Sequence, residues 1–274
     1  MKITPQESKQ SAALIEVVSD AKENALARQK ALTKLAKNAT IKGFRKGKAP
    51  LSIVESQLDP EAINHESLHF LLEEIIPAVI KSENLHLISN PQLITLDDKN
   101  PDNWILTISF PLKPIIILGD YEKHTKKSLD TTESKKTTRE TRVDIVCNTL
   151  VKQIDFDLPQ VLLDQEVDKS LSRLLEQTQA LGLTIEKYLT SINKSVDQLK
   201  IEYFESAKNT LKLEFILLEI AKEKKLIISE KEIKDLITTI GDEKTQNLFR
   251  QKEQLPYLES ILLKRKVIDS LLTN

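Results

Sequence analysis

Aromatic side chains, glycine and cysteine are all scarce in this chain of 274 residues. Aromatic residues make up 4% of the sequence, and glycine occurs at only 5 positions. Few glycines together with abundant Leu, Ile, Lys and Glu predict many helices and few tight turns. The single cysteine, Cys147, excludes a disulfide within the chain and is typical of a reducing compartment.

Long apolar runs and a strong net charge are also missing. The longest aliphatic runs, such as residues 115–118 and 215–218, are too short to cross a bilayer, and no apolar stretch of signal-peptide length opens the chain. We therefore expect a cytoplasmic protein that does not bind membranes. The formal net charge of −1 excludes a globally basic nucleic-acid binder but leaves local basic patches open.

Residues 1–120 carry alternating signals for strands and helices. The predicted elements, in chain order, are a strand at 13–18, a helix at 22–38, a helix from 59 toward 83, and strands at 85–88 and 92–96. Pro77 predicts a kink or a break in the second helix. A final strand is indicated by the period-two spacing of Trp104, Leu106, Ile108 and Phe110. This order of elements predicts an α+β domain.

The character of the sequence changes at residue 121. Residues 121–142 are rich in Lys, Thr, Ser and Glu and nearly free of apolar side chains, which predicts a polar linker or an extended arm. From residue 143 to 274 the apolar positions follow helical spacing. Capping boxes at Ser195–Gln198 and Ser229–Glu232 mark two helix starts in this region. Residues 143–274 therefore predict an all-α domain.

Residues 41–50 contain the most informative motif, Ile-Lys-Gly-Phe-Arg-Lys-Gly-Lys-Ala-Pro. Two glycines flanking Phe44, Arg45 and Lys46 predict an exposed loop tip, because glycine permits the positive φ of a tight reversal and cations are rarely buried unpaired. Residues 21–48 hold nine basic residues against one acid, Glu23. This imbalance indicates contact with a polyanionic surface such as RNA phosphate.

Residues 43–50 resemble the ribosome-docking signature of the trigger factor family, a Gly-Phe-Arg-x-Gly-Lys-x-Pro loop between two helices. The resemblance covers the α+β region and resumes at residues 155–167, which are similar to the Asp-hydrophobic-Pro opening of the family's helical domain. It implies a ribosome-binding domain at 1–120 and a helical substrate-binding chaperone domain at 143–274. The implied ribosome-binding residues are Gly43, Phe44, Arg45, Lys46, Gly47, Lys48 and Pro50, with a supporting basic patch of Lys34, Lys37 and Lys42.

The sequence departs from the usual family pattern between these two regions. Family members usually carry a peptidyl-prolyl isomerase domain there, but residues 121–142 are far fewer than the ~100 residues of a typical small domain. The resemblance therefore implies a chaperone without enzymatic activity, ATP or cofactor. Its implied partners are the large ribosomal subunit, through an exit-site protein and rRNA, and nascent or unfolded polypeptides. Homodimerisation stays open, as does the alternative of a ribosome-independent holdase or assembly chaperone.

A second motif, His65-Glu66-Ser67-Leu68-His69, fits the H-E-x-x-H pattern of zinc metallohydrolases. On a helix His65 and His69 lie one turn apart and could share a zinc ion, with Glu66 as general base. A third ligand is missing from the pattern; the nearest choices are Glu73, Glu83, His86 and His124. Two half-exposed histidines on an amphipathic helix explain the motif more simply, so we expect neither a catalytic residue nor a metal.

Overall fold

The computed structural model describes residues 1–6, 11–131 and 137–273. The chain divides into two compact units, Met1–Lys113 and Pro114–Asn274. Within the described ranges, no helix combines the length and the apolar character that a bilayer crossing needs.

The first unit combines a four-stranded antiparallel sheet with three helices. Its elements are β1 (Lys2–Pro5), β2 (Ala12–Val18), α1 (Ala21–Asn38), α2 (Leu51–Gln57), α3 (Pro60–Ser82), β3 (Gln92–Asp97) and β4 (Ile105–Pro111). The strand order is β1-β2-β4-β3. The strand predicted at residues 85–88 is reduced to an isolated bridge between Leu87 and Leu112.

One face of the sheet forms the core of this unit. The register pairs Ile15 with Ile108 and Val17 with Leu106, so alternate residues of β2 and β4 point to the same side. These side chains are buried together with residues of α1 and α3, namely Ala27, Leu71, Ile75 and Val79. The period-two pattern thus placed the buried face correctly, and the predicted α+β class is confirmed.

Helix α3 continues through Pro77 without a break. Proline removes the hydrogen bond that would reach the carbonyl of Glu73, but both residues lie on the exposed face, where water can satisfy that carbonyl. Leu71, Ile75 and Val79 remain buried along the opposite face. The prediction of a break is wrong because packing on both sides of the proline holds the helix together.

The second unit is helical throughout its described elements. These are α4 (Tyr121–Leu129), α5 (Arg139–Gln153), α6 (Gln160–Ala180), α7 (Ile185–Ser191), α8 (Val196–Glu223), α9 (Glu230–Thr238), α10 (Glu243–Phe249) and α11 (Leu255–Thr273). The capping boxes at Ser195 and Ser229 form as predicted, each with reciprocal bonds between the serine and the residue three positions later. Residues of α4, α5, α8 and α11 share one apolar core.

Helix α4 and the start of α5 replace most of the predicted linker. Tyr121, Thr125 and Leu129 recur every four residues and are buried along one face of α4, while the Tyr121 hydroxyl donates to Glu223 Oε1 at 3.1 Å. Burial raises the pKa of Tyr121, and the nearby Glu223 adds to this shift. The middle of the predicted linker, residues 132–136, lies outside the described residues. The polar composition concealed this helix because its buried residues all lie on one narrow face.

Candidate functional site

The loop between α1 and α2 contains two consecutive tight turns. In the first, the backbone N–H of Phe44 donates to the carbonyl of Ile41 at 3.1 Å; in the second, Lys48 N–H donates to the carbonyl of Arg45 at 2.9 Å. The third residue of each turn is glycine, Gly43 with φ +90° and Gly47 with φ +74°. This is the geometry of a type II turn, which requires positive φ at its third position. The two turns hold Phe44 and Arg45 between them.

The two glycines differ in their surroundings. A Cβ at Gly47 would lie 3.1 Å from the carbonyl oxygen of Lys37, whereas a Cβ at Gly43 would have no neighbour within 4 Å. Gly47 therefore combines the need for a positive φ with close packing on the last turn of α1.

Replacing each glycine by alanine should separate these two requirements. We expect Gly47→Ala to distort the loop more than Gly43→Ala, because only the former adds a backbone clash to a backbone strain of roughly 1–2 kcal/mol. Amide hydrogen exchange of residues 41–48 would report the distortion. Equal exchange rates in the two variants would contradict the packing role of Gly47.

The base of the loop is fixed by a small hydrophobic cluster. Ala36 of α1, Ile41 of the loop and Val54 of α2 are buried together, with further aliphatic side chains around them. Pro50 occupies the N-cap position of α2 with an extended ψ of 144° and makes no side-chain cap hydrogen bond. The loop is therefore anchored at both ends while its tip projects from the cluster. Ile41 and Val54 were not singled out from the sequence, although each is an apolar residue close to a polar loop.

The tip presents an aromatic ring beside free cations. Phe44 is 40% exposed and belongs to none of the buried clusters. Lys42, Arg45, Lys46 and Lys48 are exposed as well. Along the described residues, none of these four cations forms an ion pair with an acidic side chain. An exposed apolar ring next to uncompensated positive charge is a surface suited to a partner with both an apolar notch and negative charge.

The predicted supporting patch is only partly available. Lys34 forms an ion pair with Glu66 of α3, and its ammonium lies 5.5 Å from the ring centroid of Phe70. Lys37 is exposed in the last turn of α1, directly beside the loop. The structure therefore places Lys37 and Lys42 with the loop tip, whereas the charge of Lys34 is compensated locally.

The histidines of the H-E-x-x-H motif lie on the exposed side of α3. Nδ1 of His69 is 3.5 Å from Glu73, and Glu66 is held by Lys34, so the carboxylate that would act as general base already has a partner. Across the parts of the chain that the structure describes, no three His, Cys, Asp or Glu side chains form a group able to hold a metal. The motif is explained by an ordinary helix surface.

Apolar residues of the helical unit differ in how far they are exposed. Leu211, Phe215, Ile261 and Leu262 are half-buried, and Phe215 packs edge-on against Phe156. The ends of α6 and α8 expose more: Leu181 is 76% exposed and Ile201 is 64% exposed. Helical periodicity alone assigns such residues to a core, so it gave no signal that would distinguish them.

Comparison with known proteins supports this description. A family model described as "Bacterial trigger factor protein (TF)" matches residues 1–146, and one described as "Bacterial trigger factor protein (TF) C-terminus" matches residues 118–273. The two matches overlap, which leaves no room between them for a separate isomerase domain. A solved structure described as "Promiscuous Substrate Recognition in Folding and Assembly Activities of the Trigger Factor Chaperone" covers 100% of both chains with a TM-score of 0.72 at 15% identity, which supports the fold.

Relatives share sequence with part of the chain. Trigger factor of Listeria monocytogenes serotype 4a (strain HCC23) is 32% identical over 93 residues, which cover 34% of this chain and 22% of the relative. That of Halalkalibacterium halodurans is 33% identical over 105 residues, covering 38% and 24%. The alignments thus span about a quarter of these relatives' own lengths. Because each family model matches more than half of the residues, the chain belongs to the trigger factor family.

Proposed function

We propose that this protein is an ATP-independent chaperone that docks on the large ribosomal subunit near the nascent-chain exit and shields emerging polypeptides in the cytoplasm. Family membership supports the class of function. The observation that carries the docking step is the exposed ring of Phe44, which lies between two glycine turns beside Arg45 and Lys46. Neither cation forms an ion pair with an acidic residue in the part of the chain that the structure describes.

Two kinds of contact follow from the chemistry of the loop tip. Binding is stabilised when the Phe44 ring enters an apolar notch of an exit-site ribosomal protein, because the exposed part of the ring is then removed from water. Arg45 and Lys46 suit phosphate groups of rRNA or carboxylates of the same protein. The anchored base of the loop keeps the tip in one conformation, which lowers the entropy lost on binding.

Ribosome co-sedimentation of loop variants tests this proposal. We expect Phe44→Ala/Arg45→Ala/Lys46→Ala to weaken association at least tenfold, a change of about 1.4 kcal/mol. A matched control is Phe249→Ala/Arg250→Ala/Lys252→Ala, which removes the same three residue types from the second unit and changes the net charge equally. Undiminished binding of the loop variant, or an equal loss in the control, would contradict loop docking.

Salt dependence separates the ionic part of docking from the apolar part. Each phosphate contact that a cation makes steepens the slope of log K against log salt by about 0.7–0.9. We therefore expect Arg45→Gln/Lys46→Gln to flatten the slope by roughly one to two, whereas Phe44→Ala should reduce affinity with little change in slope. Titrations between low and physiological salt measure both quantities. Parallel slopes for all variants would exclude phosphate as the partner of these cations.

Client shielding is assigned to the apolar surface of the helical unit. Leu181→Ser/Ile201→Ser should increase the amount of protein needed to suppress aggregation of a chemically unfolded test protein by about twofold or more, because two largely exposed apolar side chains are lost. Leu26→Ser, an exposed leucine of α1, is the control. If the double variant and the control suppress aggregation as well as the wild type, the clients bind elsewhere.

The same experiments distinguish the alternative of a ribosome-independent holdase. That function would give full suppression of aggregation while even the wild-type protein fails to sediment with ribosomes. Docking would give sedimentation that depends on the loop.

A further inference from the structure

An aliphatic stretch, here called the isoleucine segment (residues 114–118), leads into α4. Its sequence is Pro-Ile-Ile-Ile-Leu, and it belongs to neither a helix nor a strand. Consecutive β-branched residues after a proline favour an extended backbone over a helix. Gly119, with φ +56°, then turns the chain just before α4 begins. The local sequence therefore favours an extended conformation for this segment.

The side chains of the isoleucine segment alternate between protein and solvent. Ile116 and Leu118 contact the apolar core that α4, α5, α8 and α11 share. Ile115 is 86% exposed and Ile117 is 81% exposed, the two largest fractions of any large apolar side chain in the described ranges. Residues two apart in an extended chain lie on the same side, so these two isoleucines form one outward apolar strip. The inner side chains fix the segment on the helical unit and leave this strip bare.

The backbone of the isoleucine segment also lacks partners. Along the described residues, no hydrogen bond involves the backbone N–H or carbonyl of residues 115–118. The segment borders a cleft of about 440 Å³, which is also lined by Lys222 and Glu223 at the C-terminal end of α8. The protein therefore leaves space beside the segment. An extended chain with unpaired N–H and carbonyl groups has the hydrogen-bonding capacity of a sheet edge.

We propose that the isoleucine segment pairs, strand to strand, with an extended stretch of a client polypeptide. The backbone of the client exchanges hydrogen bonds with residues 115–118, and its side chains cover Ile115 and Ile117. A lipid tail could cover the isoleucines but offers no match to the row of backbone groups, whereas an extended polypeptide satisfies both.

This mode of binding suits clients of varied sequence. Backbone pairing supplies affinity without reading side chains, and the apolar strip adds a preference for clients with apolar residues at alternate positions. The proposal rests on the proposed shielding of polypeptides and specifies one contact by which a client is held.

Amide hydrogen exchange of the full-length protein tests the backbone pairing directly. We expect the amides of residues 115–118 to exchange rapidly in the free protein, because they have no partner. Millimolar acetyl-Lys-Thr-Val-Thr-Val-Thr-Lys-amide should slow their exchange about fivefold or more. The matched control peptide carries N-methyl groups on its five central residues, so it keeps the side chains but loses the N–H donors. It should leave the exchange rates unchanged.

Fluorescence anisotropy of the labelled peptide tests the apolar strip. Ile115→Thr/Ile117→Thr keeps two β-branched residues at exposed positions but makes the strip polar, and should weaken peptide binding about fivefold or more. The matched control is Val196→Thr/Ile201→Thr, two exposed β-branched residues of α8, which should bind the peptide as the wild type does.

Several outcomes would overturn the proposal. These are unchanged peptide binding by Ile115→Thr/Ile117→Thr, an equal loss in the α8 control, or slowed exchange with the N-methylated peptide. Exchange at residues 115–118 that slows as the free protein is concentrated would show that a second copy covers the segment, which also contradicts the proposal. Neither measurement uses ribosomes or an aggregating client. Failure of peptide binding would therefore be distinguished from failure of docking or of aggregation suppression.

Discussion

Phe110→Ala is expected to lower the free energy of unfolding of the first unit by about 3–5 kcal/mol. Phe110 is fully buried in the core behind the sheet, on β4, which pairs with both β2 and β3. Truncation removes most of a large apolar side chain and leaves a cavity that close-packed neighbours cannot fill. Urea denaturation followed by Trp104 fluorescence measures the loss, since Trp104 lies in the same core.

Ile94→Ala is the control for this experiment. Ile94 lies on β3 at the site of a register shift and is 55% exposed, so its truncation should change the free energy of unfolding by about 0.5 kcal/mol or less. Similar losses in the two variants would contradict the assignment of the core to one face of the sheet. Because α1 packs on that core and leads into the loop at residues 41–50, Phe110→Ala should also abolish the proposed ribosome association at temperatures that unfold only the variant.

The turn geometry of residues 41–48 could be predicted from the sequence because its determinants are local. Two glycines four residues apart specify the positive-φ positions of two turns. The residues between the glycines therefore lie at the tip of the loop. Phe44 and its neighbouring cations lie exposed at the tip that these turns form. The same holds for the capping boxes at Ser195 and Ser229, whose bonds span three residues.

Other features depend on residues far apart in the chain and left no local signal. Lys34 looked like a free cation on a basic helix, but its partner Glu66 comes from another helix. Helix α4 reads as a polar linker because only three of its residues are buried, and their burial depends on helices that follow much later. A cleft lined by Asn24, Asn64 and Trp104 likewise forms only when α1, α3 and the β3–β4 connection come together. Local pattern therefore predicted the exposed loop at residues 41–50, but it predicted neither the ion pair of Lys34 nor the cleft.

Asp155→Ala should destabilise the helical unit more than Lys212→Met does. The ammonium of Lys212 on α8 is held by Asp155 and lies 5.6 Å from the ring centroid of Phe156. The Lys212 side chain is 8% exposed, whereas that of Asp155 is 91% exposed. Removing the aspartate takes away the partner of a largely buried lysine, and because water reaches this exposed carboxylate the cost is about 1 kcal/mol or less. Methionine at position 212 removes the charge and keeps the side-chain volume. Asp155, which is largely exposed, then remains solvated by water, so the loss of stability is smaller.

The pH dependence of unfolding gives a second, independent measure of how much the ion pair of Asp155 and Lys212 stabilises the folded protein. The hydrogen bond and the charge of Lys212 hold the pKa of Asp155 below its usual value in the folded protein. A depressed folded pKa means that the stabilisation is fully present above the unfolded pKa, about 3.9, and is lost as pH falls through the lower folded pKa. The difference in free energy of unfolding between wild type and Asp155→Ala should therefore be constant near neutrality and shrink below about pH 4. A difference that persists unchanged in acid, or a greater loss in Lys212→Met than in Asp155→Ala, would contradict this account of the ion pair.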